Sequence, residues 1–255
     1  MLVVQEMQAV LVLEDGTILQ GEGFGAEAEV YGEAVFNTSM SGYQEALTDP
    51  SYKGQILTLT YPLIGNYGVN NDDFESDKIQ VEGFVVRENC AQPSHHASGK
   101  TIDRFLRDQG IPGISGVDTR SLTIRLRAEG TMKAMLKTSS EKIDTDGLVE
   151  SVRQSPHITE MDLVHQVTAR EPKKHEIGGK QHVAILDCGM KLGIENCLLD
   201  RKVDVTVVPA STPAKEILAL EADGMLVTNG PGDPLRADYV INIIAALKEE
   251  LPIFG

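Results

Sequence analysis

The stretch LVTNGPGDP, residues 226–234, sets apolar and β-branched residues against a loop of two glycines and two prolines. As a plain strand-to-helix turn, its glycines supply unusual φ, Pro231 and Pro234 fix the bend, and Asp233 helps begin the next helix. As a site, Gly230 and Gly232 lack Cβ, so a ligand can approach the backbone, and their N–H groups can hold an anion or a carbonyl oxygen. No Lys-Ser/Thr follows the glycines and no G-x-G-x-x-G is present, which sets a nucleotide loop aside. Residue chemistry alone leaves both readings standing.

The other candidates for chemistry are sparse. Cys188 follows an apolar strand, Cys197 falls on the apolar face of a helix, and Cys90 has no local base. A thiol without a nearby base is a poor nucleophile, so Cys90 and Cys197 read as small buried or half-buried residues. Three cysteines at no metal or disulfide spacing fit reduced thiols in a cytoplasmic protein. His95 and His96 lack the carboxylate and cysteine company of a metal site, so no metal is expected. A net charge of −15, spread without an acidic tail, excludes a phosphate-backbone partner, and nucleic acid is set aside. No run of about 18 uncharged apolar residues occurs, and the N-terminal MLVVQEMQAVLVLEDG lacks the flank and cleavage site of a signal peptide, so no membrane partner is expected.

Two kinds of element must position these residues. In the first half, AVLVLEDGTILQGEGFG reads as two strands about a two-residue turn at Asp15-Gly16. EAVFNTS (33–39), QILTLTY (55–61) and QVEGFVVRE (80–88) read as further strands. One helix carries Ile102, Phe105 and Leu106, with Ser98 as its cap and Gly110 as its stop; a second, capped by Asp118 and stopped by Gly130, carries Leu122, Ile124 and Leu126. From 182 onward apolar strands alternate with helices, one of them capped by Thr212 with Pro213 first. That grammar indicates a parallel sheet covered on both faces. The predicted division is a mixed α and β domain over 1–150, a linker over 151–180, where TAREPKKHEIGGKQ lacks periodicity, and an α/β domain over 181–255.

With the elements placed, several stretches carry a resemblance. TNGPGDP resembles the oxyanion-loop signature of class I glutamine amidotransferases. FNTSMSGYQEALTDPSYKGQILTLTYPLIGNYG (36–68) is similar over its whole length to the small subunit of carbamoyl-phosphate synthase, as are GVDTRSLTIRLRAEG (116–130) and MDLVHQVT (161–168). The resemblance implies a large-subunit docking domain followed by the N-terminal part of a flavodoxin-like, parallel-sheet amidotransferase domain. It implies a cytoplasmic glutaminase that releases ammonia from L-glutamine through a cysteine thioester and passes it to a large-subunit partner in a heterodimer. That partner, not this chain, would hold ATP and Mg and make carbamoyl phosphate for arginine and pyrimidine biosynthesis. The family's glutamine contacts fall on Ser51, Gly230 and Gly232. The Gly230 N–H supports the oxyanion, and Ser51 reaches from the first domain to the second.

The resemblance also has a departure. In the family the strand written here PIFG runs into the turn bearing the nucleophilic cysteine, and the triad's His and Glu lie farther on. All three are expected beyond Gly255, so residues 1–255 are expected to be a fragment, inactive alone. Cys188 aligns with a noncatalytic position. A noncatalytic docking module for a large synthetase partner is the competing expectation.

Overall fold

The computed structural model describes residues 7–255; the first six residues of the stretch read as lacking a leader lie outside the described residues. The chain forms two compact units, one of residues 1–48 with 54–158, the other of Asp49–Lys53 with Thr159–Gly255.

The first unit opens with strands β1 (Gln8–Leu13) and β2 (Ile18–Gly25), paired antiparallel. Their turn differs from expectation: Leu13 N donates to Thr17 O and Gly16 N to Leu13 O, enclosing three residues, and Gly16 alone of them takes positive φ, at 98°. Asp15 instead accepts from the Thr17 amide at 2.8 Å, which fixes the wider turn. There follow β3 (Glu29–Asn37), α1 (Tyr43–Thr48), β4 (Gln55–Leu59), β5 (Leu63–Ile64), β6 (Gly83–Val85) and β7 (Glu88–Asn89). The unit ends with α2 (Ile102–Asp108), β8 (Pro112–Ser115), α3 (Thr119–Glu129), β9 (Met132–Ser139) and α4 (Leu148–Gln154). Seven strands close into a barrel in the order β1-β2-β8-β6-β4-β3-β9. Within it β3, β4, β6 and β8 run parallel, so their carboxyl ends emerge side by side.

Leu122 and Leu126 of α3 pack on a core of Leu11, Ile56, Val85 and Ile114. Ile124, two residues from each, points elsewhere and is 51% exposed, because 3.6-residue periodicity cannot put i and i+2 on one face. Asp118 caps α3 by accepting from Ser121 N, and Gly130 ends it. The cap of α2 is Thr101 rather than Ser98: its hydroxyl accepts from Arg104 N, and the helix starts only at Ile102.

The second unit holds α5 (Val164–Val167), β10 (Lys173–His175), β11 (His182–Asp187), α6 (Leu192–Asp200) and β12 (Asp204–Pro209). It continues with α7 (Ala214–Leu218), β13 (Gly224–Val227), α8 (Asp238–Leu247) and β14 (Ile253–Phe254). The open sheet runs β10-β12-β11-β13-β14, parallel except for antiparallel β10. Ala184 and Leu186 face Ile217 of α7 and Val240, Ile243 and Leu247 of α8. Ile185, Val205 and Val207 face Leu198 and Leu199 of α6 on the other side. Helices thus cover one face throughout and the other over β11 and β12, whereas Leu226 and exposed Phe254 line an open apolar groove beside β13 and β14. No Thr212 cap forms; α7 starts after Pro213 without a side-chain cap, and Thr212 is buried.

The expected linker over 151–180 is shared between the two units and carries regular elements of its own. Its first residues complete α4 in the first unit, and its later part supplies α5 and the edge strand β10 to the second. Charges within that stretch alternate sides: Lys173 Nζ lies 3.2 Å and His175 Nε2 2.5 Å from the buried Glu195 carboxylate, while Lys174 pairs with Glu176.

Candidate active site

β13 delivers Thr228 and the glycine loop to the carboxyl end of the parallel sheet, where such sheets place ligands. Thr228 fastens this loop to the neighbouring strand end. Its N–H donates to Leu186 O at 3.2 Å, and its hydroxyl accepts from Cys188 N at 2.9 Å and donates to Asn229 O at 2.9 Å. The turn after β11 is held as tightly. Buried Asp187 accepts from the amides of Gly189, Met190 and Ala169 at 2.7–2.9 Å, and its carbonyl accepts from the Thr168 hydroxyl at 2.6 Å.

These two turns touch through glycine. A Cβ on Gly230 would sit 2.2 Å from Cys188 O, and one on Gly189 would sit 3.2 Å from Gly230 Cα. The missing side chain of Gly230 therefore makes room for the chain's own backbone, whereas the residue chemistry had pointed to room for a ligand. Gly232 is glycine for a different reason, a φ of +78°; a Cβ there would meet only the Leu163 side chain, at 3.4 Å. Asn229, Gly230 and Gly232 are exposed, and among the described residues none accepts a hydrogen bond from the Gly230 or Gly232 amide. Unpaired N–H groups on a rigid loop are donors available to an oxygen.

Ser51 joins this group from a distant part of the sequence. Pro50–Tyr52 forms one 3₁₀ turn, with the Asp49 side chain accepting from Ser51 N. The other Asp49 oxygen lies 2.7 Å from Lys191 Nζ. Ser51 Oγ then accepts from Asn229 Nδ2 at 2.7 Å, and the same Nδ2 is 3.1 Å from Gly189 O. Ser51 does not reach across from the first unit: Asp49–Lys53 is part of the second. Sequence reasoning missed Asn229 as the bridging residue and the Asp187-Cys188-Gly189 turn as its support. A signal existed, since a glycine follows β11 by two residues much as Gly230 follows β13 by three.

The thiols behave differently from one another. Burial, followed by the neighbouring Asp187 carboxylate, pushes the Cys188 thiol up to about 12, which keeps it protonated and unreactive. Cys90 is half-buried, but Cys197 is exposed, contrary to its expected place on an apolar helix face. It lies near the outer edge of α6, whose sheet-facing residues are Leu198 and Leu199. The His95 and His96 rings lie 4.3 Å apart between centroids with their planes tilted by 45°, and among the described residues no cluster of three or more His, Cys, Asp or Glu is placed to hold a metal ion.

Residues 11–136 match the family model described as carbamoyl-phosphate synthase small chain, CPSase domain, and residues 184–255 match glutamine amidotransferase class-I. The carbamoyl phosphate synthase small chain of Archaeoglobus fulgidus is 50% identical over 98% of this chain and 69% of its own length. Those of Methanosarcina acetivorans and Methanopyrus kandleri are each 49% identical over 98% of this chain and 69% of theirs. An aminopeptidase from Aneurinibacillus aligns at a TM-score of only 0.32 and 13% identity, covering 87% of this chain and 56% of its own, too weak a likeness to bear on the fold. The two family models follow one another along the chain as barrel and sheet do, and with relatives this similar over nearly its whole length the chain belongs to the carbamoyl-phosphate synthase small chain family.

Proposed function

We propose that the chain is the glutamine-handling part of a glutamine-hydrolysing carbamoyl-phosphate synthase. The second unit, read as a flavodoxin-like class I amidotransferase domain, holds L-glutamine at the ends of β11 and β13. The first unit docks a large subunit, which receives the ammonia and, with its own ATP and Mg, makes carbamoyl phosphate for arginine and pyrimidine synthesis in the cytoplasm. The observation that carries this reading is the Ser51 hydroxyl, bridged by Asn229 at 2.7 Å to a loop whose Gly230 and Gly232 amides have no acceptor among the described residues.

Attack on the glutamine amide carbon moves charge onto its oxygen. The Gly230 N–H, fixed by the contact of its turn with Cys188, meets that charge without reorganising. Ser51 and Gly232 contact the substrate before and during reaction, so they hold it more than they accelerate it. Cys188 is not the nucleophile in this reading, being buried and protonated. The 255-residue chain alone is accordingly expected to release no ammonia from glutamine above background.

The test uses the full-length enzyme, small chain with large subunit, comparing glutamine-driven with ammonia-driven carbamoyl phosphate formation. Ser51→Ala should raise KM for glutamine and leave the ammonia-driven rate unchanged. An unaltered KM would remove Ser51 from the substrate site.

A further inference from the structure

The parallel strands β3, β4, β6 and β8 of the first unit end side by side, and just past their last residues stand Thr38, Thr60, Arg87 and Thr119. Together with Arg120 and Arg127 of α3 they line a cleft of about 630 Å³, the size of a small-molecule site. Nothing in the proposed glutamine chemistry uses it.

Its lining carries the opposite sign to the chain's net charge of −15. The chain has 38 acidic and 23 basic residues, and Arg104, Arg107 and Arg125 each pair with carboxylates. Among the described residues no carboxylate pairs with Arg87, Arg120 or Arg127, although all three are exposed. Arg87 Nη1 lies 3.5 Å from Val117 O, which brings its guanidinium beside the start of α3. That helix spans 11 residues, so its amino end adds a partial positive charge. Asp118 also lines the cleft, but its side chain accepts from Ser121 N. Three guanidinium groups against one carboxylate leave an excess suited to a dianion rather than a single carboxylate.

We propose that this cleft is a binding site for a small phosphorylated ligand, its phosphoryl group held by Arg87, Arg120 and Arg127 and the neighbouring threonine hydroxyls. Exposed Ile124 and Pro62 give the same cleft an apolar wall for the ligand's less polar body. Ligands gather at the carboxyl ends of parallel strands and phosphates at helix amino ends, and both conditions coincide here.

The test is calorimetric titration of the full chain with inorganic pyrophosphate, with inorganic phosphate and an oligoglutamate peptide as comparison probes. Pyrophosphate should bind saturably and more tightly than phosphate. Arg87→Gln and Arg120→Gln should each weaken it roughly tenfold, Arg120→Lys should restore part of the loss, and Arg104→Gln, away from the cleft, should change nothing. Circular dichroism melts establish that each variant is folded. Absence of saturable binding, or equal binding by the folded Arg87→Gln and Arg120→Gln chains, would overturn the proposal. So would tighter, arginine-dependent binding of oligoglutamate, which would assign the cleft to an acidic protein segment.

Discussion

Each unit gathers polar groups where parallel strands end, but the two gatherings differ in kind. Past β11 and β13 the donors are backbone amides and the amide of Asn229; past β3, β4 and β6 they are threonine hydroxyls and guanidinium groups. Fixed dipoles favour charge that appears during a reaction and then leaves, since they do not hold a neutral carbonyl or a departing product strongly. Guanidinium groups favour charge that is permanent. The difference separates a site suited to turnover from one suited to occupancy.

The sharpest way to break this comparison is to disturb the amide site's support. Gly230→Val places a Cβ 2.2 Å from Cys188 O, a backbone atom that cannot swing away. We expect a loss of about 3 kcal/mol or more by chemical denaturation, the upper range for overpacking. A loss under about 1 kcal/mol would show the two turns to be independent. Next in size is the response to salt. Raising sodium chloride from about 0.05 to 0.5 M should weaken pyrophosphate binding roughly tenfold and leave the full-length enzyme's KM for glutamine within about twofold. Equal responses would erase the distinction. Gly232→Ala should cost only about 1 kcal/mol, from left-handed strain without collision, measured by the same denaturation. The smallest effect near neutrality concerns Cys188. Its folded-state value is raised, from 9.0 to about 12, so the unfolded chain loses this proton first and stability falls as pH rises from about 9 toward 12. Cys188→Ala should flatten that alkaline slope, whereas Cys197→Ala should not.

Much of the fold was legible because local signals agreed with it. Asp118 and Gly130 bracket α3 as their chemistry dictates, and the unbroken apolar strands from 182 onward form the parallel sheet. Legibility failed where a residue's role depends on distant chain. Lys173 and His175 read as linker charges because their partner Glu195 is 22 residues from Lys173. Gly230 read as open to a ligand because nothing local shows Cys188 O behind it. The arginine cleft was invisible because Thr38, Thr60, Arg87 and Arg120 meet only once the barrel closes. Ser98 lost the cap of α2 to Thr101 on a simpler ground, a helix start misjudged by three residues.

The five residues Asp49–Lys53 also bear on how the molecule is made and divided. Ser51 and Asn229 are 178 positions apart, so their hydrogen bond is among the latest that a chain growing from its amino end can form. Closing so long a loop adds little free energy over a shorter one, but contacts of this span slow the search. The amidotransferase half is therefore not a portable module: a gene fusion carrying residues 159–255 alone would transplant the glycine loop without the hydroxyl bound to it. Any graft of this site must bring along a short piece of chain encoded within the other unit's sequence.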